Sequence, residues 1–268
     1  MNDVKVSVII PNYNNGKYIE QCIDSVLTQD YDNLEIVVVD DGSTDNSLEI
    51  LKNYQNDIVL ISILHAGASV ARNAGILASS GEVIAFLDSD DYWRHDKIRL
   101  QIELMFKENL SLVYSGGIET SFEGKELKIH TPIYSGNCYQ YYVKYPTKSI
   151  ISLPCSSAMI RKSNIAICGL FDTTFKDFAE DWDFFRRFSK TGRVGFIDQS
   201  LVYYRRHDGN ITNANFLVHH RSNLRAVRKM FSDDPKIDFK LQLRIQSGMY
   251  AQLAKNAVKY QMGRLRKF

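Results

Sequence analysis

The chain has 268 residues, 44% hydrophobic and 24% charged, with no biased tract; this argues against a disordered or fibrous protein and suffices for one large α/β domain plus a modest appendage. Its net charge of +2 conceals an asymmetry: residues 215–268 carry 12 Lys and Arg against 3 Asp and Glu, whereas the rest carries 21 against 28. Cys22, Cys138, Cys155 and Cys168 form neither a CxxC pair nor a Cys/His cluster, which argues against a zinc site and a disulfide framework, and no run of about 18 apolar residues offers a membrane span.

Residues 4–10, Val-Lys-Val-Ser-Val-Ile-Ile, predict a buried strand that ends at Pro11 and is too short for a signal-peptide core. After Gly16, the residues Ile19, Cys22, Ile23, Val26 and Leu27 share one helical face. The unit repeats in Glu35-Ile36-Val37-Val38-Val39, followed by Asp40-Asp41-Gly42-Ser43-Thr44-Asp45, a turn able to cap the helix that carries Leu48 and Leu51. A third strand is expected near residues 59–64, a helix over 68–79, and a fourth strand in Val83-Ile84-Ala85-Phe86-Leu87. Continuous Val/Ile/Leu strands alternating with helices imply a mostly parallel sheet covered on both faces.

A helix should follow from Arg94 to about Asn109, with Ile98, Ile102, Met105 and Phe106 as its core stripe. Residues 112–150 mix short apolar runs with Gly116-Gly117, Gly124 and Gly136, a pattern for strands, loops and a short helix. Helical periodicity returns over 215–268, broken at Ser232-Asp233-Asp234-Pro235, where Pro235 can open the next helix. The domain organisation expected is an α/β domain over 1–214 and a helical, basic C-terminal extension over 215–268.

Ligands of such sheets bind at the carboxyl ends of the strands, where the strand order reverses. Three polar clusters stand at those ends: Pro11-Asn12-Tyr13-Asn14-Asn15-Gly16, Asp40-Asp41-Gly42-Ser43 and Asp88-Ser89-Asp90-Asp91. Three carboxylates in the last of these repel one another unless a cation sits among them, and hard oxygen ligands select Mg²⁺ or Mn²⁺; a solvated acidic turn capping the next helix is the alternative. Asp41 could accept from a nucleobase N–H, and Asp40 could instead cap a helix, though Asp-Gly-Ser is also ordinary turn chemistry; Tyr13 could stack on a base or only pack, and Arg72 could reach a nucleotide or be an ordinary helix-surface arginine. Glu180, Asp181 and Asp183 lie among large apolar residues, where burial would make a carboxylate a better base near neutrality, or they mark an ordinary helix N-terminus. His207, in a basic, Gly-containing loop, suits a diphosphate or a metal, though a surface loop histidine is the commoner case.

Taken in order, Val6-Ser7-Val8-Ile9-Ile10-Pro11-Asn12-Tyr13-Asn14, Val39-Asp40-Asp41-Gly42-Ser43-Thr44-Asp45, Ala71-Arg72-Asn73-Ala74-Gly75, Phe86-Leu87-Asp88-Ser89-Asp90-Asp91 and Glu180-Asp181-Trp182 closely resemble the family 2 glycosyltransferases. The resemblance covers residues 4–210 and implies a GT-A fold, a Rossmann-like sheet flanked by helices. On matching positions it implies that Pro11, Tyr13 and Asp41 hold the nucleobase and that Arg72 assists in the nucleotide pocket. Asp88-Ser89-Asp90 would form the DxD motif, with Asp90 the surest ligand of a Mn²⁺ or Mg²⁺ ion, Asp88 a second and His207 a further metal or diphosphate contact. Asp181 would be the catalytic base of an inverting transfer, chosen over Glu180 and Asp183 by motif position alone.

The expected function is therefore transfer of a sugar from a nucleotide diphosphate donor, by default a uridine diphosphate sugar, to a hydroxyl of a glycan or lipid-linked acceptor in cell-surface polysaccharide assembly. Two alternatives stay open: a sugar-nucleotidyltransferase, poorly matched by Asn12-Tyr13-Asn14-Asn15-Gly16-Lys17 after the first strand, and a non-catalytic nucleotide-sugar or glycan-binding module. A QxxRW motif is lacking, which favours addition of one or a few sugars. The chain is expected in the cytoplasm without nucleic-acid partners, its basic tail either resting on an anionic inner membrane face or an acidic partner or simply solvated.

Overall fold

The computed structural model describes residues 4–146, 151, 153–176, 178–210 and 216–265. Its strands are β1 (Val6–Asn12), β2 (Leu34–Asp40), β3 (Ile58–Ser62), β4 (Val83–Phe86), β5 (Tyr92–Trp93), β6 (Leu112–Thr120), β7 (Glu126–His130), β8 (Met159–Arg161) and β9 (Val194–Arg205). The helices are α1 (Ile19–Leu27), α2 (Ser47–Leu51), α3 (Ala68–Ala78), α4 (Lys97–Lys107), α5 (Tyr139–Lys144), α6 (Pro154–Ser157), α7 (Ile165–Cys168), α8 (Glu180–Phe188), α9 (Phe216–Asp233) and α10 (Phe239–Leu265). All nine strands join one sheet in the order β3-β2-β1-β4-β8-β6-β9-β5, with β7 also paired to β6.

The block β3-β2-β1-β4 is parallel, as the alternation of apolar strands and helices predicts. Its order reverses beside β1, because β2 lies on one side and β4 on the other. The second half is mixed: β8 runs antiparallel to both β4 and β6, so β6 points the same way as β4, and β9 pairs parallel with β6. The carboxyl ends of β1, β2, β4, β6 and β9 thus open on one rim, although they are separated by up to two hundred residues of chain.

Alternate residues of each central strand feed two cores. Ile9, Val37, Val39, Ile84 and Phe86 face one side with Ala71 and Ile76 of α3, Trp182, Phe184, Phe185 and Phe188 of α8, and Ala226, Val227 and Met230 of α9. Val8, Ile10, Val38, Ala85 and Leu87 face the other, against Ile19, Cys22, Ile23 and Val26 of α1 and Ile98, Ile102 and Met105 of α4. Both faces being covered is why these strands read as unbroken apolar runs. Helix α3 sits so close to β1 that a Cβ on Gly75 would lie 2.5 Å from the Ile9 side chain. Gly75→Val should therefore cost roughly 1–3 kcal/mol through overpacking, read as a lower denaturant midpoint at unchanged m-value.

Two expectations about helix starts need correction. The helix expected from Arg94 begins at Lys97, because Tyr92 and Trp93 are drawn into strand pairing with Tyr203 and Val202, and Arg94 N–H donates to the Leu201 carbonyl at 3.0 Å. The break near residue 234 is present, but Pro235 lies in the connecting turn; α10 opens at Phe239, where Asp238 caps it by accepting from Leu241 N–H at 2.8 Å. The boundary expected between 214 and 215 falls within 211–215, outside the described residues. Among the described residues no helix is long and apolar enough to cross a membrane, and all four cysteines are unpaired.

Candidate active site

The rim encloses a cavity of about 660 Å³, and Pro11, Tyr13, Asp41, Arg72, Asp88, Ser89, Asp90, Asp181 and His207 all line it. Every site residue expected from the sequence is thus brought to one place. What each side chain does there is set by its partners.

The first two rim loops are laced together. Asn12 Nδ2 donates to Asp40 Oδ1 at 2.9 Å, Thr44 N–H to Asn14 Oδ1 at 2.8 Å, and Gly16 N–H to Asp45 Oδ2 at 2.9 Å. Asp40 also accepts from Ser43 N–H, so it closes its own turn rather than capping a helix, and Asp45, which accepts from Ser47 N–H at 2.9 Å, serves the start of α2. Asp41 is buried, and its two carboxylate oxygens accept from Ala66 and Gly67 N–H at 2.7 and 2.9 Å, which fixes the turn into α3. His65 Nδ1 lies 2.9 Å from the same carboxylate, and its ring stacks on Tyr13 with centroids 4.0 Å apart. The pair forms an aromatic shelf over a buried carboxylate.

At the end of β4 the three aspartates part company. Asp91 is buried and structural: Ser156 Oγ donates to it at 2.5 Å and Arg205 N–H at 3.0 Å, while burial, then the charges of Asp90 and Asp88, push its carboxyl well above the usual range. Asp90 faces the cavity, with His207 Nε2 at 3.0 Å and Asn210 Nδ2 at 3.2 Å from the same oxygen. Asp88 remains 34% exposed and accepts from Arg72 Nη2 at 2.7 Å. Ser89, buried, accepts from Asn15 Nδ2 at 2.8 Å, which holds the loop after β4 against the loop after β1. Arg205 adds a backbone anchor, its Nε donating to the Asp90 carbonyl at 2.9 Å.

Arg72 is buried at the junction of two elements. Its guanidinium spans Asp88 and Glu180, donating to the latter at 3.1 Å, so it ties the end of β4 to the start of α8. That helix is preceded by Ala179 in a left-handed conformation, φ 70°, and α6 by Leu153 at φ 54°. Both residues line the cavity. Such non-glycine strain, about 1–3 kcal/mol each, persists where surrounding packing dictates the backbone direction.

The acids of α8 occupy three different environments. Glu180 is held by Arg72. Asp183 is fully buried among Arg186, Arg187 and Lys229, at 2.8, 2.9 and 2.8 Å. Burial alone would raise its carboxyl, but those cations outweigh it and hold it below the usual range. Asp181 has no cation among the described residues in hydrogen-bond contact; it opens on the cavity and accepts from Trp182 N–H at 2.6 Å. Burial first, and the neighbouring Glu180 charge second, push it up to about 7. Cys155, also on the cavity wall, is buried, which raises its thiol well above the usual value and leaves it a poor nucleophile.

Sequence reasoning gave no role to His65 and Asn15, in loops, or to Ser156, on α6, because the partner of each lies tens of positions away. Asn210 falls in the same loop as His207, Tyr203-Tyr204-Arg205-Arg206-His207-Asp208-Gly209-Asn210, yet nothing in those residues shows that it would reach Asp90, 120 residues earlier. Among the described residues no group of three or more His, Cys, Asp or Glu side chains gathers as a metal site; Asp90 and His207 meet, while Asp88 turns to Arg72.

Comparison with known proteins identifies the family. Residues 7–168 match the family described as Glycosyl transferase family 2. The glycosyltransferase GlyG of Streptococcus pneumoniae is 30% identical over 261 residues, spanning 85% of this chain and 80% of GlyG. The Escherichia coli UDP-Glc:alpha-D-GlcNAc-diphosphoundecaprenol beta-1,3-glucosyltransferase WfgD is 44% identical over 116 residues, 42% of this chain and 46% of WfgD. Other bacterial relatives are far longer, and the chain spans only 21–24% of three of them. Staphylococcus aureus TarS, residues 1–349 in complex with UDP-GlcNAc, superposes with a TM-score of 0.66 at 21% identity, covering 83% of this chain and 66% of that one; the fold is shared. The chain belongs to glycosyl transferase family 2.

Proposed function

We propose that this chain is an inverting, metal-assisted glycosyltransferase that moves a sugar from a nucleotide diphosphate sugar, by preference a UDP-sugar, to a hydroxyl of a glycan or lipid-linked acceptor in cell-surface polysaccharide assembly. The observation that carries the reading is the separation of roles on α8: of its three first-turn acids, Asp181 alone opens on the cavity without a paired cation and with a pKa near neutrality. The UDP preference draws on the donor in TarS and in the name of WfgD, and on the Tyr13–His65 shelf above Asp41, which suits a flat, polar base.

In this reading Pro11, Tyr13 and Asp41 form the base pocket, and Asp88-Ser89-Asp90 meets the diphosphate. Asp90 and Asp88 would hold a Mn²⁺ or Mg²⁺ ion through carboxylate oxygens, the ligands such hard cations take, with Asp88 turning from Arg72 to do so and His207 beside Asp90 as a further contact. When bound, the cation supplies positive charge against the departing diphosphate. Arg72 pairs with Asp88 and Glu180. Asp181 takes the proton of the acceptor hydroxyl as its oxygen attacks the anomeric carbon; the bond to the diphosphate breaks on the opposite face and the configuration inverts.

A thermal-shift screen tests the donor side. A UDP-sugar at about a hundred times its Kd should raise Tm by on the order of 5–10 °C, only with Mn²⁺ or Mg²⁺ present, and Asp90→Ala should remove the metal-dependent part. A shift of equal size without metal, or one kept in Asp90→Ala, would refute the assignment. Pyrophosphate release from sugar phosphate and nucleoside triphosphate would favour the nucleotidyltransferase reading, and donor binding without any transfer or hydrolysis the non-catalytic one.

A further inference from the structure

The helix α10 carries two apolar faces, and only one is used. Ile245 and Met249 are buried in the core, with Leu241 partly buried beside them. On the opposite side Phe239, Leu243 and Tyr250 fall within about 40° of one another at 3.6 residues per turn, while Val258 points about 80° from the middle of that stripe, in the direction of Lys240. These four are 72, 48, 47 and 57% exposed. An aromatic and aliphatic row exposed along a surface helix, covered by none of the described residues, marks a contact surface.

Charge identifies what covers it. Residues 239–268 contain seven Lys and Arg and no Asp or Glu, in contrast to the acidic body of the chain. Lys240, Arg244 and Lys255 are exposed and run along one flank of the stripe, between it and the buried face. A helix with an apolar row, a cationic flank and no acid has the make-up of one that lies in the plane of an anionic lipid surface, its apolar side chains entering the headgroup boundary and its cations meeting lipid phosphates. A second copy of the chain is a worse match, because two-fold pairing would set the same patch, cations included, against itself.

We infer that α10 is an interfacial helix that docks the protein on a bilayer bearing anionic headgroups through Phe239, Leu243 and Tyr250, with Lys240, Arg244 and Lys255 supplying the electrostatic attraction. The inference is independent of the donor and base assignments, and it places the protein's cavity near a lipid surface.

Co-sedimentation of the full chain with vesicles provides the test. The chain should pellet with phosphatidylcholine and phosphatidylglycerol in equal parts and not with phosphatidylcholine alone, and added salt should release it. Lys240→Gln, Arg244→Gln and Lys255→Gln should each weaken binding about fivefold, the factor corresponding to about 1 kcal/mol per cation near an anionic surface. Leu243→Glu and Phe239→Glu, at exposed positions and so with Tm unchanged, should weaken it at least as much. Equal pelleting on both vesicles, none on anionic ones, or indifference to the stripe variants would overturn the inference. So would a wild-type dimer that Leu243→Glu splits, or a stripe occupied by an acidic protein in place of lipid.

Discussion

Asp181→Asn should lower the transfer rate by roughly 10²–10⁴-fold, the usual contribution of a positioned general base, while leaving donor-induced thermal stabilisation in place. The substitution keeps the size and the hydrogen-bonding edge of the side chain and removes only its ability to take a proton. Wild-type kcat/KM, which reports ionisations of the free enzyme, should fall on the acid side with an apparent pKa near 7, because Asp181 must be ionised to accept the proton and is pushed up to about 7. The sign for stability is the reverse. A carboxyl raised in the folded state binds more protons there than in the unfolded chain between about pH 3.9 and about 7, so stability declines as pH rises through that window. Asp181→Asn should therefore melt no lower than wild type at pH 8, and higher if the whole cost of ionising a buried acid is relieved. An inactive variant that also melts lower would mean that Asp181 supports the fold instead, and a wild-type rate would mean that another group takes the proton.

Much of this site is legible in the sequence because its loops follow strands whose apolar runs are unmistakable. Val6 to Ile10, Ile36 to Val39 and Val83 to Leu87 are buried on both faces, so their periodicity and length locate the strand ends within a residue or two, and the polar clusters at those ends must share a rim. The half from β5 to β9 was not legible in the same way. Its strands are mixed in direction, β5 and β8 are two and three residues long, and β6 meets β9 with register shifts near Gly116, so no local pattern announces the pairing. Charge partners were harder still. Asp88, Asp90 and Asp91 look alike in the string, and only burial beneath Ser156 and the Arg205 amide separates Asp91 from the two that face the cavity.

The same difficulty applies to Asp181 and Asp183, two residues apart on α8, and the second should give the largest stability effect in the molecule. Asp183 is fully buried and meets Arg186 and Arg187 of its own helix and Lys229 of α9, while Arg186, buried as well, also reaches Asp233 at the end of α9. Asp183→Ala leaves Arg186 desolvated with only Asp233 as counter-charge, and breaking a buried pair from one side costs about 3–5 kcal/mol. That is a large share of the 5–15 kcal/mol, roughly, that holds a domain folded, so Tm should drop by on the order of 6–20 °C. Because the folded pKa is depressed, the contribution is complete above the ordinary aspartate range and fades as pH falls through the folded value; the gap between wild type and variant should narrow in acid. Lys229→Met, which leaves Asp183 with both arginines, should cost distinctly less. Calorimetry of the three proteins from pH 3 to 8 decides the matter: an Asp183→Ala chain that melts with wild type at neutral pH would show that these ion pairs only repay their own desolvation, and that apolar packing of Ala226, Val227 and Met230 alone binds α9 to the sheet.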